Sequence, residues 1–219
     1  MDFEKFKNSL EISPKSTAIR RENESQTESA SGEELSSLAG RLLVASPHTN
    51  GEPFEQAVIL VCAHSEEGAV GLMVNQPLEQ MTLNEMLGQL DIPSDAIVWD
   101  RFIHSGGPVA DSRGFVLYSG EENSHDALSV PGGLALSTNL DTLRAIGKGK
   151  GPKDYLVALG YAGWGSGQLE EEIRENTWLI LPSERDLLFK MDRGKVWDTA
   201  MKRIGIQDVH RYSQDTGIA

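Results

Sequence analysis

The seven-residue run Ala57-Val-Ile-Leu-Val-Cys-Ala63 constrains the fold more than any other stretch of the chain. It carries no polar side chain and is bounded by polar residues, so it reads as a short strand buried on both faces. The polar turn His64-Ser-Glu-Glu-Gly68 follows, and Ala69–Val74 then reads as the returning strand of a hairpin. Gly40–Ser46 reads as a strand ahead of the pair, and Asn75-Gln-Pro77 ends it.

Thr82-Leu-Asn-Glu85 is a capping box opening a helix that runs to about Leu90, with Pro93 at the exit. A second strand pair is expected near Ile97–His104 and Gly114–Ser119, turning at Ser105-Gly-Gly-Pro108. Leu128–Val130 and Leu134–Ser137 flank Pro131-Gly-Gly133 as another hairpin. Asn139–Ile146 reads as a helix, Tyr155–Tyr161 as a strand, and Gly167–Glu175 as a helix after a glycine-rich turn. Thr177–Leu181 is an expected strand, and Ser183–Lys190 and Lys195–Ile204 are expected helices. Strands come in adjacent pairs with helices between the pairs, an order that suggests α+β with antiparallel hairpins.

The chain has 219 residues, enough for one domain with a sizeable core and no covalent staples. Residues 1–37 differ from the rest: Phe3, Phe6 and Leu10 could line one side of a short helix. The Ser- and Glu-rich stretch after them buries too little apolar area to offset the entropy of ordering. The division expected is a flexible arm over 1–37, a folded domain over 38–206 and a polar tail over 207–219. Cys62 is the only cysteine, which excludes an intrachain disulfide and fits a reducing compartment. No apolar segment follows the charged start and no run reaches the length of a membrane span, so the cytoplasm is the expected location. The formal charge of −13, with no run of basic residues longer than two, speaks against nucleic-acid binding.

Several separated strings resemble the YqgE/AlgH family: Gly40-Arg-Leu-Leu-Val-Ala-Ser-Pro47, Phe54, Gly68-Ala-Val-Gly-Leu-Met-Val-Asn-Gln-Pro77, Gly106-Gly-Pro-Val109, and Gly160-Tyr-Ala-Gly-Trp164 with Gln168-Leu-Glu170. Their order and spacing match over roughly residues 38–206, and the arm before them looks like an extension. The resemblance implies an α+β fold with a small barrel-like, mostly antiparallel β core flanked by helices, in a soluble bacterial or organellar protein. It implies no settled activity and no catalytic set. The family's transcriptional-regulator label comes from a link to alginate control, not from a DNA-binding motif.

Catalytic and metal patterns fail on inspection. Gly160-x4-Gly165 starts a phosphate-loop pattern, but Ser166 stands where that motif needs Lys. Glu170, Glu171 and Glu172 would repel a phosphate at the following helix. A nucleophile elbow around Ser166 needs glycines where Trp164 and Gln168 stand. His104 and Ser105 are adjacent on a strand and point to opposite faces. Cys62 and His64 are two apart, so on a regular strand they would share a face and could form a dyad, although the apolar run favours an inert thiol. His48, His64, His104, His125 and His210 show no metal-ligand spacing. No catalytic residue, no metal site and no cofactor is expected.

Residues with special backbone or aromatic character at strand ends define the expected ligand-binding set: Asn75, Pro77, Gly106, Gly107, Pro108, Gly160, Tyr161, Trp164 and Gln168. Turn-forming and packing roles compete with that reading at every one of these positions. The leading functional expectation is a non-enzymatic regulatory role with an unidentified protein partner and no membrane association. The alternatives are a small-ligand-binding protein or enzyme with its site at the glycine-rich turns, and a regulator that binds nucleic acid directly.

Overall fold

The apolar run forms β2 (Val58–Ser65), and it turns back into β3 (Gly68–Met73) as the periodicity requires. β1 (Arg41–Ala45) lies antiparallel on the other edge of β2. The computed structural model describes residues 37–49, 51–94, 101–120 and 127–206. The expectations for the N-terminal arm before residue 37 and for the tail from 207 fall outside these.

The Thr82–Glu85 capping box is present in full and opens α1 (Leu83–Gln89). It is reached through β4 (Pro77–Thr82), where the sequence pattern predicts no strand. β4 hides because its middle is polar and exposed, and because it pairs only with β5 (Phe102–Ser105), in an irregular register. Proline is tolerated at the first residue of such an edge strand.

The expected pairing of β5 with the next strand, β6 (Val109–Ser119), is corrected by the structure. Both strands bond to β9 (Tyr155–Gly165), β5 in parallel and β6 antiparallel. Both meet Ala158 and Leu159, so they lie on opposite edges of β9. Between β6 and β9 in the chain, β7 (Leu128–Val130) and β8 (Leu134–Ser137) form the expected hairpin, and α2 (Leu140–Gly147) follows with Asn139 as its N-cap. After β9 come α3 (Gln168–Arg174), β10 (Trp178–Pro182), a π-helical turn over Asp186–Lys190 in place of a regular helix, and α4 (Arg193–Ile204). The sheet runs β10-β1-β2-β3-β9-β6-β8-β7, with β4 and β5 branching from β9. It curls into a half-barrel, so the fold is α+β as expected.

Side-chain alternation sorts the core into three groups. Leu42, Leu60, Leu72, Phe115, Leu136 and Leu156 face the inside of the curl, which Leu187, Val196, Trp197 and Met201 close from the π turn and α4. Trp197 also ties α4 to β1, its indole donating to the Ala45 carbonyl at 2.8 Å. On the outer face Leu43, Ile59, Met73 and Trp164 pack under Leu169 of α3. At the other end of the outer face Val116, Ala135 and Val157 pack under α1 and α2. Both faces of the sheet are covered, which is why β2 is apolar from Val58 to Ala63.

Candidate functional site

β9 changes neighbours partway along one edge, pairing with β3 at residues 162–165 and with β5 at 158–159. Gly160, with φ +74°, stands at the change. Leu156, Ala158 and Tyr161 face the inner core while Ala162 and Trp164 face the outer one, so the strand swaps faces at this residue. The Gly106 N–H donates to the Leu159 carbonyl at 2.7 Å, and its own carbonyl accepts from Met73 N–H at 2.9 Å, so Gly106 fills the fork. A Cβ on Gly106 would lie 2.2 Å from the Gly160 oxygen, and one on Gly160 would lie 2.3 Å from the Gly107 oxygen. These glycines let backbone touch backbone, which no larger residue permits.

The fork opens a cleft of about 720 Å³ between β4, β5 and β9 on one side and the π turn and α4 on the other. His104 sits in its wall at 8% exposure, paired through its backbone with Pro77 of β4 and Ala158 of β9. Among the described residues neither ring nitrogen makes a well-formed hydrogen bond, the Val157 backbone carbonyl being a poorly placed acceptor, and both nitrogens are covered. Burial pushes the imidazole down to about 4, the Arg193 charge adds to this, and the Val157 backbone pulls weakly the other way. His104 is therefore neutral at pH 7, with one donor and one acceptor left without a well-formed protein hydrogen bond.

Arg193 opens α4. One of its terminal nitrogens, Nη1, donates to the carbonyls of Leu188 at 2.8 Å, Val74 at 3.2 Å and Leu187 at 3.4 Å. That tether fixes the guanidinium, and among the described residues no acceptor meets its other nitrogens. Burial lowers its pKa, Asp192 opposes this and Arg101 reinforces it. Arg101 lies 4.5 Å over the Tyr155 ring and has no carboxylate partner among the described residues. Burial raises the Tyr155 phenol and Arg101 counteracts it. Phe102, 47% exposed, stands at the rim. The cleft thus brings together two cations, a neutral imidazole and aromatic surface. No Ser, Thr, Cys or Lys is among the described lining residues.

The expected ligand-binding residues divide. Asn75 and Pro77 line the cleft, though both ends of the Asn75 amide are used: Oδ1 accepts from Val58 N–H at 2.7 Å and Nδ2 donates to the Gln56 carbonyl at 2.8 Å. Gly106, Gly107 and Gly160 make the fork beside it, and Pro108 is exposed after it. Tyr161 is in the inner core, edge-on to Phe115 at 5.8 Å. Trp164 and Gln168 belong to a separate polar knot. Trp164 and Trp178 both donate to Glu172 Oε2, at 2.8 and 2.6 Å, and Gln168 joins Gly165 N–H to Glu172 Oε1. The expected glycine-rich turn is mostly strand, because β9 runs on to Gly165.

The rejected motifs are accounted for by contacts. Ser166 Oγ donates to the Glu66 carbonyl at 2.6 Å. The expectation that Cys62 and His64 share a face is overturned by a bulge: Val61 pairs with Gly71 and Ala63 with Val70, leaving Cys62 as the extra residue. Cys62 enters the inner core, where burial pushes its thiol up to about 12. His64 points to the outer side, its Nδ1 accepting from Leu38 N–H at 3.0 Å and its Nε2 bonding Glu170 at 2.6 Å.

Sequence reasoning named His104 only for a pairing with Ser105, and it passed over Arg101, Tyr155 and Arg193. The one available signal was a histidine inside the apolar strand Phe102-Ile-His-Ser. The arginines lie 92 residues apart in sequence and converge only through the sheet and α4.

The family model described as DUF179, AlgH-like, matches residues 42–208, and the chain belongs to that family. A UPF0301 protein of Rhodospirillum rubrum is 42% identical over 182 residues, covering 83% of this chain and 94% of that protein. A UPF0301 protein of Paracoccus denitrificans is 42% identical over 190 residues, covering 85% of this chain and all 100% of the other. The solution structure of AlgH from Pseudomonas aeruginosa is similar with a TM-score of 0.69 at 36% identity, covering 87% of this chain and 100% of that one. Protein DIP2367 from Corynebacterium diphtheriae, at 20% identity and a TM-score of 0.62 over 76% of this chain and 86% of that one, shares the fold. Among the described residues no helix is long and apolar enough to cross a membrane.

Proposed function

We propose that this chain is a non-enzymatic regulatory protein whose input is a small molecule held in the cleft between β5, β9 and α4. The observation that carries the reading is His104, buried in the cleft wall with both ring nitrogens unpartnered among the described residues. Buried polar atoms are nearly always satisfied, and the two His104 nitrogens lie covered just behind the cleft wall, where a ligand that shifts the wall slightly completes their bonding. The size of the cleft, about 720 Å³, falls within the range of small-molecule sites. The structural bonds that occupy His64, Glu170 and Ser166 account for the motifs set aside outside the cleft. The net charge of −13 sets against the direct nucleic-acid alternative.

Thermal-shift screening of the full chain against charged and uncharged metabolites tests the reading. At least one compound is expected to raise the melting temperature and to perturb the fluorescence of Trp197, which lines the cleft. Phe102→Asp, a change at an exposed rim position, is expected to remove the response while leaving the fold intact. A library that leaves the melting temperature unchanged, or a binder indifferent to Phe102→Asp, overturns it.

A further inference from the structure

The geometry points to an organic anion as the occupant, its carboxylate or phosphate seated among Arg101, Arg193 and His104 and its body against the aromatic wall. This inference rests on the ligand-binding reading above and names the chemistry of the ligand. Its first support is charge. The chain carries 33 acidic and 20 basic residues, so an arginine could readily be given a carboxylate partner. Yet neither of the two arginines that meet in this cleft has a carboxylate at ion-pair distance among the described residues, and Arg193 feels the charge of Arg101.

The titratable and charged groups lining the cleft are Glu79 from β4, Arg101 and His104 from β5 and the residue before it, Tyr155 from β9, and Asp192 and Arg193 at the start of α4. Glu79 is exposed. Asp192 is committed to capping α4, accepting from Gly194 N–H at 3.1 Å, and lies 3.8 Å from Lys195. Asp192 offsets part of the charge on Arg193 but neither carboxylate makes an ion-pair contact with a guanidinium among the described residues, so the partly buried Arg193 and the exposed Arg101 keep room for an anion between them.

The donors are also arranged for an oxyanion. Three backbone carbonyls hold Arg193 through Nη1 alone, leaving its other N–H groups for a planar, charge-assisted contact. Arg101 is held over Tyr155 by ring stacking, which leaves the guanidinium edge available. His104, covered just behind the sheet-side wall, supplies a further donor once the wall yields to the ligand. An anion placed against the ring favours its charged form, so binding draws a proton onto His104. The cleft volume far exceeds an inorganic ion, and Leu83, Phe102, Tyr155, Leu156, Phe189 and Trp197 supply surface for a flat apolar body.

Titration calorimetry on the full chain with phenyl phosphate, benzoate, inorganic phosphate and uncharged benzyl alcohol tests the inference, run in two buffers of unlike ionisation enthalpy. Phenyl phosphate or benzoate is expected to bind at least about tenfold more tightly than benzyl alcohol, the effect of a charge-assisted hydrogen bond. Whichever of the two binds more tightly identifies the headgroup. The buffer dependence is expected to report proton uptake, and the His104 ring signals are expected to move toward the charged form. Arg193→Gln is expected to abolish the anion preference; Arg101→Gln, at an exposed position, does the same if the first variant fails to fold. Benzyl alcohol binding as tightly as the anions overturns the anionic class and leaves the ligand-binding reading standing. Inorganic phosphate binding as tightly as phenyl phosphate overturns the organic part. Failure of every probe, together with failure of the metabolite screen, removes both readings.

Discussion

His104 makes a quantitative prediction about acid stability. Its ring is pushed from an ordinary 6.5 down to about 4 in the folded protein. Between those values the unfolded chain holds a proton that the native ring refuses. Stability therefore rises with pH across this window and is lost as pH falls from about 6.5 to about 4, with no further loss from this group below it. At about 1.36 kcal/mol per pKa unit the gap amounts to about 3 kcal/mol. That is a large share of the roughly 5–15 kcal/mol of a typical domain. Carboxylates titrate over part of the same window, so the comparison needs a variant that keeps a ring and cannot take a proton. His104→Phe meets that need. Urea unfolding of both proteins from about pH 7.5 to about 4.5 is expected to show wild type losing about 2–3 kcal/mol more than the variant. An NMR titration of the His104 ring is expected to place its midpoint well below the ordinary value. A midpoint at or above the ordinary 6.5, or equal acid losses in the two proteins, refutes the reasoning.

Glu172→Leu leaves the buried indole N–H groups of Trp164 and Trp178 without their acceptor. A loss of about 2–4 kcal/mol in thermal or denaturant unfolding is expected, and a neutral result would dissolve the knot as a stabilising unit. Gly106→Ala places a Cβ 2.2 Å from the Gly160 oxygen. It is expected to cost at least about 2 kcal/mol and to shift the backbone NMR signals of β5 and β9, whereas wild-type stability would mean that the fork tolerates separation. Cys62, with its thiol pushed up to about 12, is expected to resist thiol reagents in the native protein and to react on unfolding. Rapid native labelling would contradict its burial.

Much of the strand order was legible because burial leaves a local mark. The apolar run of β2, the Thr82–Glu85 box and the Pro131-Gly-Gly133 turn each act within a few residues, and each formed where expected. β4 left no such mark, since a polar edge strand lacks both alternation and an apolar run. The glycines of the fork stood out as special, but whether they bound a ligand or each other depended on which strand lay across from them. The same applies to Trp164 and Gln168, whose partner Glu172 was visible in the sequence without its role.

By itself the chain determined that it would be α+β, with antiparallel hairpins built on β2 and β3, and to which family it belongs. Periodicity and capping are short-range effects, and neighbouring residues suffice to express them. Only the tertiary structure decided that β5 and β6 would part to opposite edges of β9, and that Arg101, His104, Tyr155 and Arg193 would meet in one cleft. Those outcomes depend on packing between segments scores of residues apart. One bulge at Cys62 or one left-handed glycine at position 160 reverses which face the later side chains of the same strand take.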